Sequence, residues 1–413
     1  MNLCIHRGAK EIGGSCVEIE ADGQRLLLDL GLPLDAELDK TPLPDISGLE
    51  KLDESLLGIA ISHAHLDHYG LVAKVRQRVP VLIGKGALRI INTTRQFFPD
   101  APDFLRTIEI RNKEPIVLGP FTITPYLMDH SAYDAYALLV EARGKKVFYS
   151  GDFRSHGRKG RLFEKLLQNP PKGVDVLLME GTTLGRSGLE NKYPSEDELE
   201  SRFIDHFNSA QGLALVWTSG QNIDRIVSIY KACRKTGKKL IVDLYTASIL
   251  MAIKNDKLPQ PGFKGFHVFV PTSQRILIKK RELFDIPKSV SFCRVYLEKL
   301  TDLASSSVML FRPSMTRDLE TAGCLEGATL IYSLWPGYLE EERYQWFQDW
   351  LEKHQIPLTY CHTSGHAPVN DLKRLAEAIS AKRLVPIHSF EPDTYKEHFK
   401  NVEMRNDGEI WCV

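Results

Sequence analysis

Three imidazoles and a carboxylate fall within six consecutive positions, His63-Ala64-His65-Leu66-Asp67-His68. These side chains are metal ligands and proton carriers, and packing gives no reason to crowd them onto one turn. The spacing lets His63 and His65 project from one side while Asp67 and His68 reach a second position, as two adjacent divalent cations require. The plain alternative is a solvated His-rich turn. Two ions need further ligands, and three candidates follow apolar runs that read as strands. These are His130 after 123–129, Asp152 in Ser150-Gly151-Asp152, and His388 after 384–387. Gly151 lets the Asp152 carboxylate turn inward, where it could bridge two ions. Taken singly, the three read equally as a hydrogen-bonded loop His, a turn Asp and a surface His. Jointly they share one property: at each, a strand has just ended.

The elements that must position these groups follow from local pattern. Residues 56–61 read as a strand into the His-rich turn, and 71–78 as a helix out of it. Residues 16–20 and 25–30 alternate as a hairpin about Asp22-Gly23. Further strands are expected at 81–83, 121–126, 135–142, 146–150 and 174–179. An opening so rich in hairpins predicts half of a sheet sandwich covered by helices. Residues 185–194 are rich in turn formers and read as a linker. Ser195-Glu-Asp-Glu198 is a capping box that opens a helix to about residue 209. Strands at 213–217 and 240–244 then flank a helix at 222–236, a parallel βαβ unit and so a second architecture. Sheet-and-helix texture returns near Leu358, with a helix at 369–380 and a strand at 383–387.

Bulk properties exclude little. A length of 413 residues suggests two domains or one large domain with an insertion. Lys+Arg and Asp+Glu are both 53, so only a local basic patch could favour an acidic polymer. Clusters at 143–146, 154–161, 231–239 and 279–281 read first as solvated faces, the second and third lying nearest the candidate site regions. Residues 1–15 carry charges and glycines where a leader would be apolar, and no run approaches a membrane span. Seven scattered Cys without any C-x-x-C read as reduced thiols, so a cytoplasmic protein off the membrane is expected.

Taken in order, Leu28-Asp29-Leu-Gly31, the turn at 63–68, His130 and Ser150-Gly-Asp152 resemble the metallo-β-lactamase fold of dinuclear zinc hydrolases. Met179-Glu180-Gly-Thr-Thr183, Thr363-Ser-Gly-His366-Ala and Pro386-Ile-His388 resemble motifs A, B and C of its β-CASP branch, the nucleic-acid-processing members. That branch carries an inserted domain between motifs A and B, where this chain changes texture. The resemblance implies an α/β protein, an αββα metallo-β-lactamase sandwich with an inserted α/β β-CASP domain. The expected divisions are 1–188, 189–355 and 356–413.

The resemblance implies that Asp29 supports the ligand turn from behind; alone, it would read as a turn Asp. Ligand count gives one ion to His63, His65 and His130 and the other to Asp67, His68 and His388, with Asp152 and a hydroxide between them. Imidazole and carboxylate without thiolate suit two Zn²⁺ per chain, with Mn²⁺ as the alternative. The hydroxide, touched also by Asp67, would attack phosphorus in line. His366 would protonate the leaving oxygen and Glu180 would orient it, against the simpler readings of a capping His and a core-edge carboxylate.

Ser219-Gly-Gln-Asn222-Ile-Asp-Arg225 resembles a helix start of the insertion. With Ser364 it offers a candidate phosphate or RNA seat, though ordinary N-capping explains it as well. A His at motif C goes with RNA-processing members, so RNA is the expected partner and single-stranded DNA ranks behind it. His388-Ser-Phe-Glu departs from the commoner His-Gly-Glu, and the chain stops at Val413, soon after motif C. RNase J-like exonuclease mode and assembly are therefore not implied. The competing readings are a small-molecule thioesterase or lactonase of the same fold and a non-catalytic RNA-binding subunit.

Overall fold

The computed structural model describes residues 1–75, 79–185 and 192–413. Most of the expected linker at 185–194, and the end of the expected helix at 71–78, lie outside the described residues. The chain divides into two compact units, Met1–Tyr193 with Gly365–Val413, and Pro194–Ser364.

Among its described residues the first unit holds two mixed sheets. One runs, in spatial order, Ile410–Cys412, Asn2–Arg7, Cys16–Ala21, Gln24–Leu28, Leu56–Ala60, Val81–Gly84 and Thr107–Ile110. The other runs Arg383–Ile387, Val176–Glu180, Lys145–Tyr149, Ala135–Ala142, Phe121–Met128 and Ile116–Leu118. Successive side chains of a strand point to opposite faces. Leu138 and Val140 accordingly join Leu26, Leu28, Ile5 and Val17 in the core between the sheets. Ala137 and Leu139 instead pack outward with Phe163 and Leu166 of helix Arg161–Gln168 and Leu372 and Leu375 of helix Val369–Ile379. Helix Lys85–Phe97, beside Val81–Gly84, buries Ala87, Ile90 and Ile91. The layers are therefore αββα, and burial on both faces explains why these strands read as unbroken apolar runs.

Strand direction gathers the polar groups. Gln24–Leu28 and Leu56–Ala60 are parallel, as are Lys145–Tyr149, Val176–Glu180 and Arg383–Ile387. Phe121–Met128 is antiparallel to Ala135–Ala142, which is antiparallel to Lys145–Tyr149, so the outer two run the same way. Asp29, His63, His130, Asp152 and His388 each lie just beyond the carboxyl end of one of these strands, and Glu180 ends one.

The His-rich turn differs from expectation. A short helix, Leu66–Tyr69, starts inside the motif and tightens into a 3-10 segment at Gly70–Lys74. The turn is fastened by its backbone: Leu30 N–H donates to His68 O, Leu32 N–H to Leu66 O and Ser15 N–H to Asp67 O, at 2.9 to 3.1 Å. Gly31 permits this approach, because a Cβ there would lie 1.7 Å from Asp67 O. Gly31→Ala is expected to destabilise the protein by about 1–3 kcal/mol or more, as overpacking does, read as a fall in the denaturant midpoint. An unchanged midpoint would contradict the close approach.

The second unit is a parallel sheet whose seven strands are, in order, Arg294–Val295, Phe266–Phe269, Lys239–Asp243, Ser307–Phe311, Ala214–Trp217, Thr329–Tyr332 and Leu358–Tyr360. Helix Glu196–Ser209 opens with both hydrogen bonds of the Ser195/Glu198 capping box. Leu358–Tyr360 pairs with Thr329–Tyr332. It therefore extends this sheet, and the return to the first unit comes at Gly365 instead of near Leu358.

Candidate metal centre

Ligand-type atoms converge in two sets at the carboxyl edge of the first unit: His63, His65 and His130, and Asp67, His68, Asp152 and His388. Within each set the atoms lie within 4.8 Å of one another. Hydrogen bonds on the far side of the rings fix their orientation. Asp29, fully buried and in the left-handed region at φ 60°, accepts from Ser62 N–H, Ser62 Oγ, Tyr149 OH and His68 Nδ1, all at 2.7 to 2.8 Å. With Ser62 Oγ committed to Asp29, His63 Nδ1–H donates to that oxygen at 3.0 Å. His130 Nδ1–H donates to Gly365 O at 2.6 Å, and His388 Nδ1 meets Ser15 Oγ at 2.9 Å. At His63, His68 and His130 the outward nitrogen donates and Nε2 faces the cluster, the arrangement metal-binding His residues need, whereas His388 Nδ1 also accepts from Gly13 N–H at 3.3 Å.

The fit to divalent cations rests on those inward atoms. The Nε2 atoms of His63, His68 and His388 and Oδ2 of Asp152 are buried without a hydrogen-bond partner among the described residues. A buried polar atom left unsatisfied costs about 1–3 kcal/mol, and apart from the 3.2 Å approach of His68 Nε2 to Asp152 Oδ2 a shared cation is what would satisfy these atoms. His65 Nδ1 and His130 Nε2 lie 3.3 Å apart. Tetrahedral Zn–N bonds of about 2.0–2.1 Å place neighbouring ligand atoms about 3.3–3.4 Å apart. Asp152 Oδ2 is 3.2 Å from His68 Nε2, 3.7 Å from His388 Nε2 and 3.8 Å from His63 Nε2, so a single oxygen borders both sets.

Electrostatics agree. Burial, reinforced by neighbouring rings, holds His63 and His130 well below the usual imidazole range, and burial also lowers His65 and His388. Rings so placed are neutral and keep their lone pairs at neutral pH. Burial would lower His68 too, but Asp152, Asp67 and Asp29 carry it well above its ordinary value. Burial would raise Asp152, yet His388, His68 and His366 hold it well below the carboxylate range.

A third group adjoins the second set. His366 Nδ1 lies 3.2 and 3.3 Å from the Glu180 oxygens and 3.7 Å from Asp152 Oδ2, and its side chain is 22% exposed. Glu180 is buried and also accepts from Phe153 N–H and Thr182 N–H. Asp152, Glu180 and His366 thus form a third group of ligand-type atoms, in which both Glu180 oxygens already accept backbone hydrogen bonds.

The first unit thus brings together all seven metal-ligand candidates, with Asp29, Glu180 and His366. The four phosphate candidates lie in the second unit. Asn222 caps helix Ile223–Thr236 by accepting from Arg225 N–H, and Ser219 Oγ accepts from Gln221 N–H. Arg225 corrects the expectation. Its guanidinium is fully buried against Glu196 at 3.1 Å and bonded to Ser333, so it braces the unit and cannot meet a phosphate. Arg154 likewise leaves the expected solvated face at 154–161, since it is fully buried beside Asp129. Sequence reasoning missed Ser15, Ser62 and Tyr149, which build the support behind the rings. Ser62 immediately precedes the motif and was the one local signal.

A family model for the beta-lactamase superfamily domain matches residues 26–221. The chain carries a metallo-β-lactamase superfamily domain. Its architecture is that of the metallo-β-lactamase fold, an αββα sandwich with an inserted α/β unit of the β-CASP kind. Ribonuclease J of Helicobacter pylori (strain ATCC 700392 / 26695) is 28% identical over 247 residues, 57% of this chain and 35% of that protein. Ribonuclease J of Mycobacterium tuberculosis (strain ATCC 25618 / H37Rv) is 24% identical over 400 residues, 92% of this chain and 67% of that protein. The matched region thus spans about a third of the length of the Helicobacter relative. A crystal structure of a protein of unknown function from Enterococcus faecalis V583 shares the fold, with a TM-score of 0.80, 20% identity, and 100% and 99% of the two chains covered. Among the described residues no helix is long and apolar enough to cross a membrane.

Asp29→Ala is expected to weaken metal binding by ~10–100-fold, the usual cost of losing a partner that orients a ligand. Competition with a chromophoric chelator measures it, and unchanged affinity would remove Asp29 from that role.

Proposed function

We propose that this chain is a zinc-dependent phosphodiesterase that cleaves RNA. The observation that carries the reading is the Glu180–His366 pair set against Asp152, at the border of the two ligand sets. His63, His65 and His130 would hold one ion, Asp67, His68 and His388 the other, and Asp152 would serve both. Two bound cations acidify water near neutral pH and neutralise charge on a phosphoryl oxygen. The chain's own residues supply the rest. Burial favours the neutral, ligand form of His63, His65, His130 and His388, and Asp29 holds the turn in register. His366, partly exposed to solvent, gives its proton to the departing ribose oxygen, while Glu180 orients the ring and favours its protonated form.

RNA as the substrate is supported by the Ribonuclease J relatives and by the His at position 388. Thioesters and lactones would not need the Glu180–His366 pair, and a scaffold subunit would not need seven convergent ligands. The test is cleavage of end-labelled RNA and single-stranded DNA, with the RNA 5′ end varied among hydroxyl, monophosphate and triphosphate. Metal-dependent cleavage of RNA in preference to DNA is expected. RNA cleavage by chelator-stripped protein would overturn the mechanism, and inertness toward both polymers would overturn the function.

A further inference from the structure

Residues 272–299 of the second unit combine two properties, positive charge and exposed apolar side chains. The segment holds seven Lys and Arg against three Asp and Glu, in a chain whose formal net charge is zero. It also exposes Ile276 (63%), Phe284 (58%), Phe292 (69%) and Tyr296 (53%). Helix Thr272–Arg281 buries only Ile278 and ends in Lys279-Lys280-Arg281. Strand Arg294–Val295 is the outermost of its sheet, so the segment lies along one edge of the unit. Arg275 is drawn to Asp318, and the Arg294 guanidinium lies 4.7 Å from the centre of the Tyr296 ring. Lys279, Lys280 and Lys288 are exposed and form no ion pair among the described residues.

We propose that this segment is a docking surface for single-stranded RNA, a contact of the proposed ribonuclease outside its reaction centre; the inference rests on that reading. Cations alone would suit any polyanion, and exposed rings alone any apolar partner. Interleaved, they match a strand whose phosphates are negative and whose unpaired bases present flat faces. A duplex hides those faces. A membrane-surface helix would gather its apolar residues on one side, whereas Ile276, Leu277 and Ile278 are consecutive and so spread around the helix. A protein partner would leave three uncompensated lysines at the contact, which interfaces tend to avoid.

The test uses the full chain in chelator, so that binding is read without cleavage, with a fluorescent thirty-nucleotide oligouridylate as probe. A triple variant, Lys279→Ala/Lys280→Ala/Lys288→Ala, and a ring variant, Phe292→Ala/Tyr296→Ala, are compared with a charge-matched control at the exposed Lys51, Lys172 and Lys400. The lysine variant is expected to bind at least ~10-fold more weakly and to flatten the log-affinity against log-salt slope by about 2, since each lost phosphate contact on a single strand contributes about 0.7. The ring variant is expected to lose at least ~5-fold, the effect of a single stacking contact of about 1 kcal/mol, with little change in slope. The control should bind as the parent does. Equal binding by parent and both variants would overturn the docking surface and leave the ribonuclease reading standing if the parent still binds and cleaves RNA. A parent that binds no RNA would overturn both. Loss of binding to phosphatidylserine vesicles, with oligouridylate binding intact, would assign the surface to a membrane instead.

Discussion

Asp152→Ala is expected to strip the protein of both ions and abolish phosphodiester hydrolysis. The expectation comes from the position of one atom. Asp152 Oδ2 has no hydrogen-bond partner among the described residues, yet it lies within 3.8 Å of the inward nitrogens of His63, His68 and His388. Removing it takes a ligand from one set and the oxygen that borders the other, and it also removes the negative charge that balances the buried His68. The loss should exceed the ~10–100-fold in affinity that follows from losing an outer partner such as Asp29. Elemental analysis of purified protein reads it directly, with about two ions per chain expected in the parent and only traces in the variant. Asp152→Asn keeps the shape without the charge and should fall between them. A variant that retains both ions and full turnover would sink the dinuclear reading.

His366→Ala is expected to do the opposite: keep the metal and lose turnover on RNA by the ~10²–10⁴-fold typical of a missing general acid. Its ring is 22% exposed, outside both ligand sets, and its Nδ1 is held by Glu180. Burial works against protonation of His366, but the charges of Glu180 and Asp152 outweigh it and raise its pKa. The protonated form is the one a general acid needs, and it is lost as pH rises through that raised value. Glu180→Gln removes the largest raising charge, so the alkaline fall in kcat should begin at lower pH than in the parent. A purely structural role for Glu180 would lower activity without moving that limb. Unchanged turnover in His366→Ala would end the acid assignment.

Much of the site was legible because its signals are local. Four ligands share six positions, and His130, Asp152 and His388 each follow an apolar strand. What could not be read depends on which chain segments meet. Nothing near Arg225 in sequence announces Glu196 and Ser333, which bury it, and nothing near Arg154 announces Asp129. A basic residue in a polar stretch looks solvated until its carboxylate is found. The supports behind the rings were hidden for the same reason, since Ser15 and Tyr149 reach the site from distant strands. The return to the first unit was expected near Leu358, because a three-residue strand carries too little pattern to show that it pairs with Thr329–Tyr332. The helix after the motif was placed late because its first turn is built from Leu66, Asp67, His68 and Tyr69, the ligands among them.

The fastening of the ligand turn by Leu30, Leu32 and Ser15 uses only main-chain groups and the bare backbone at Gly31. The turn is therefore shaped by the hairpin that precedes it, before any cation arrives. Preorganisation of this kind removes the ordering cost that usually accompanies metal binding, so loading should be rapid and reversible on a folded protein. It also holds the exposed Leu66 only through its backbone carbonyl, and the turn should tolerate other side chains there while its ligands stay aligned.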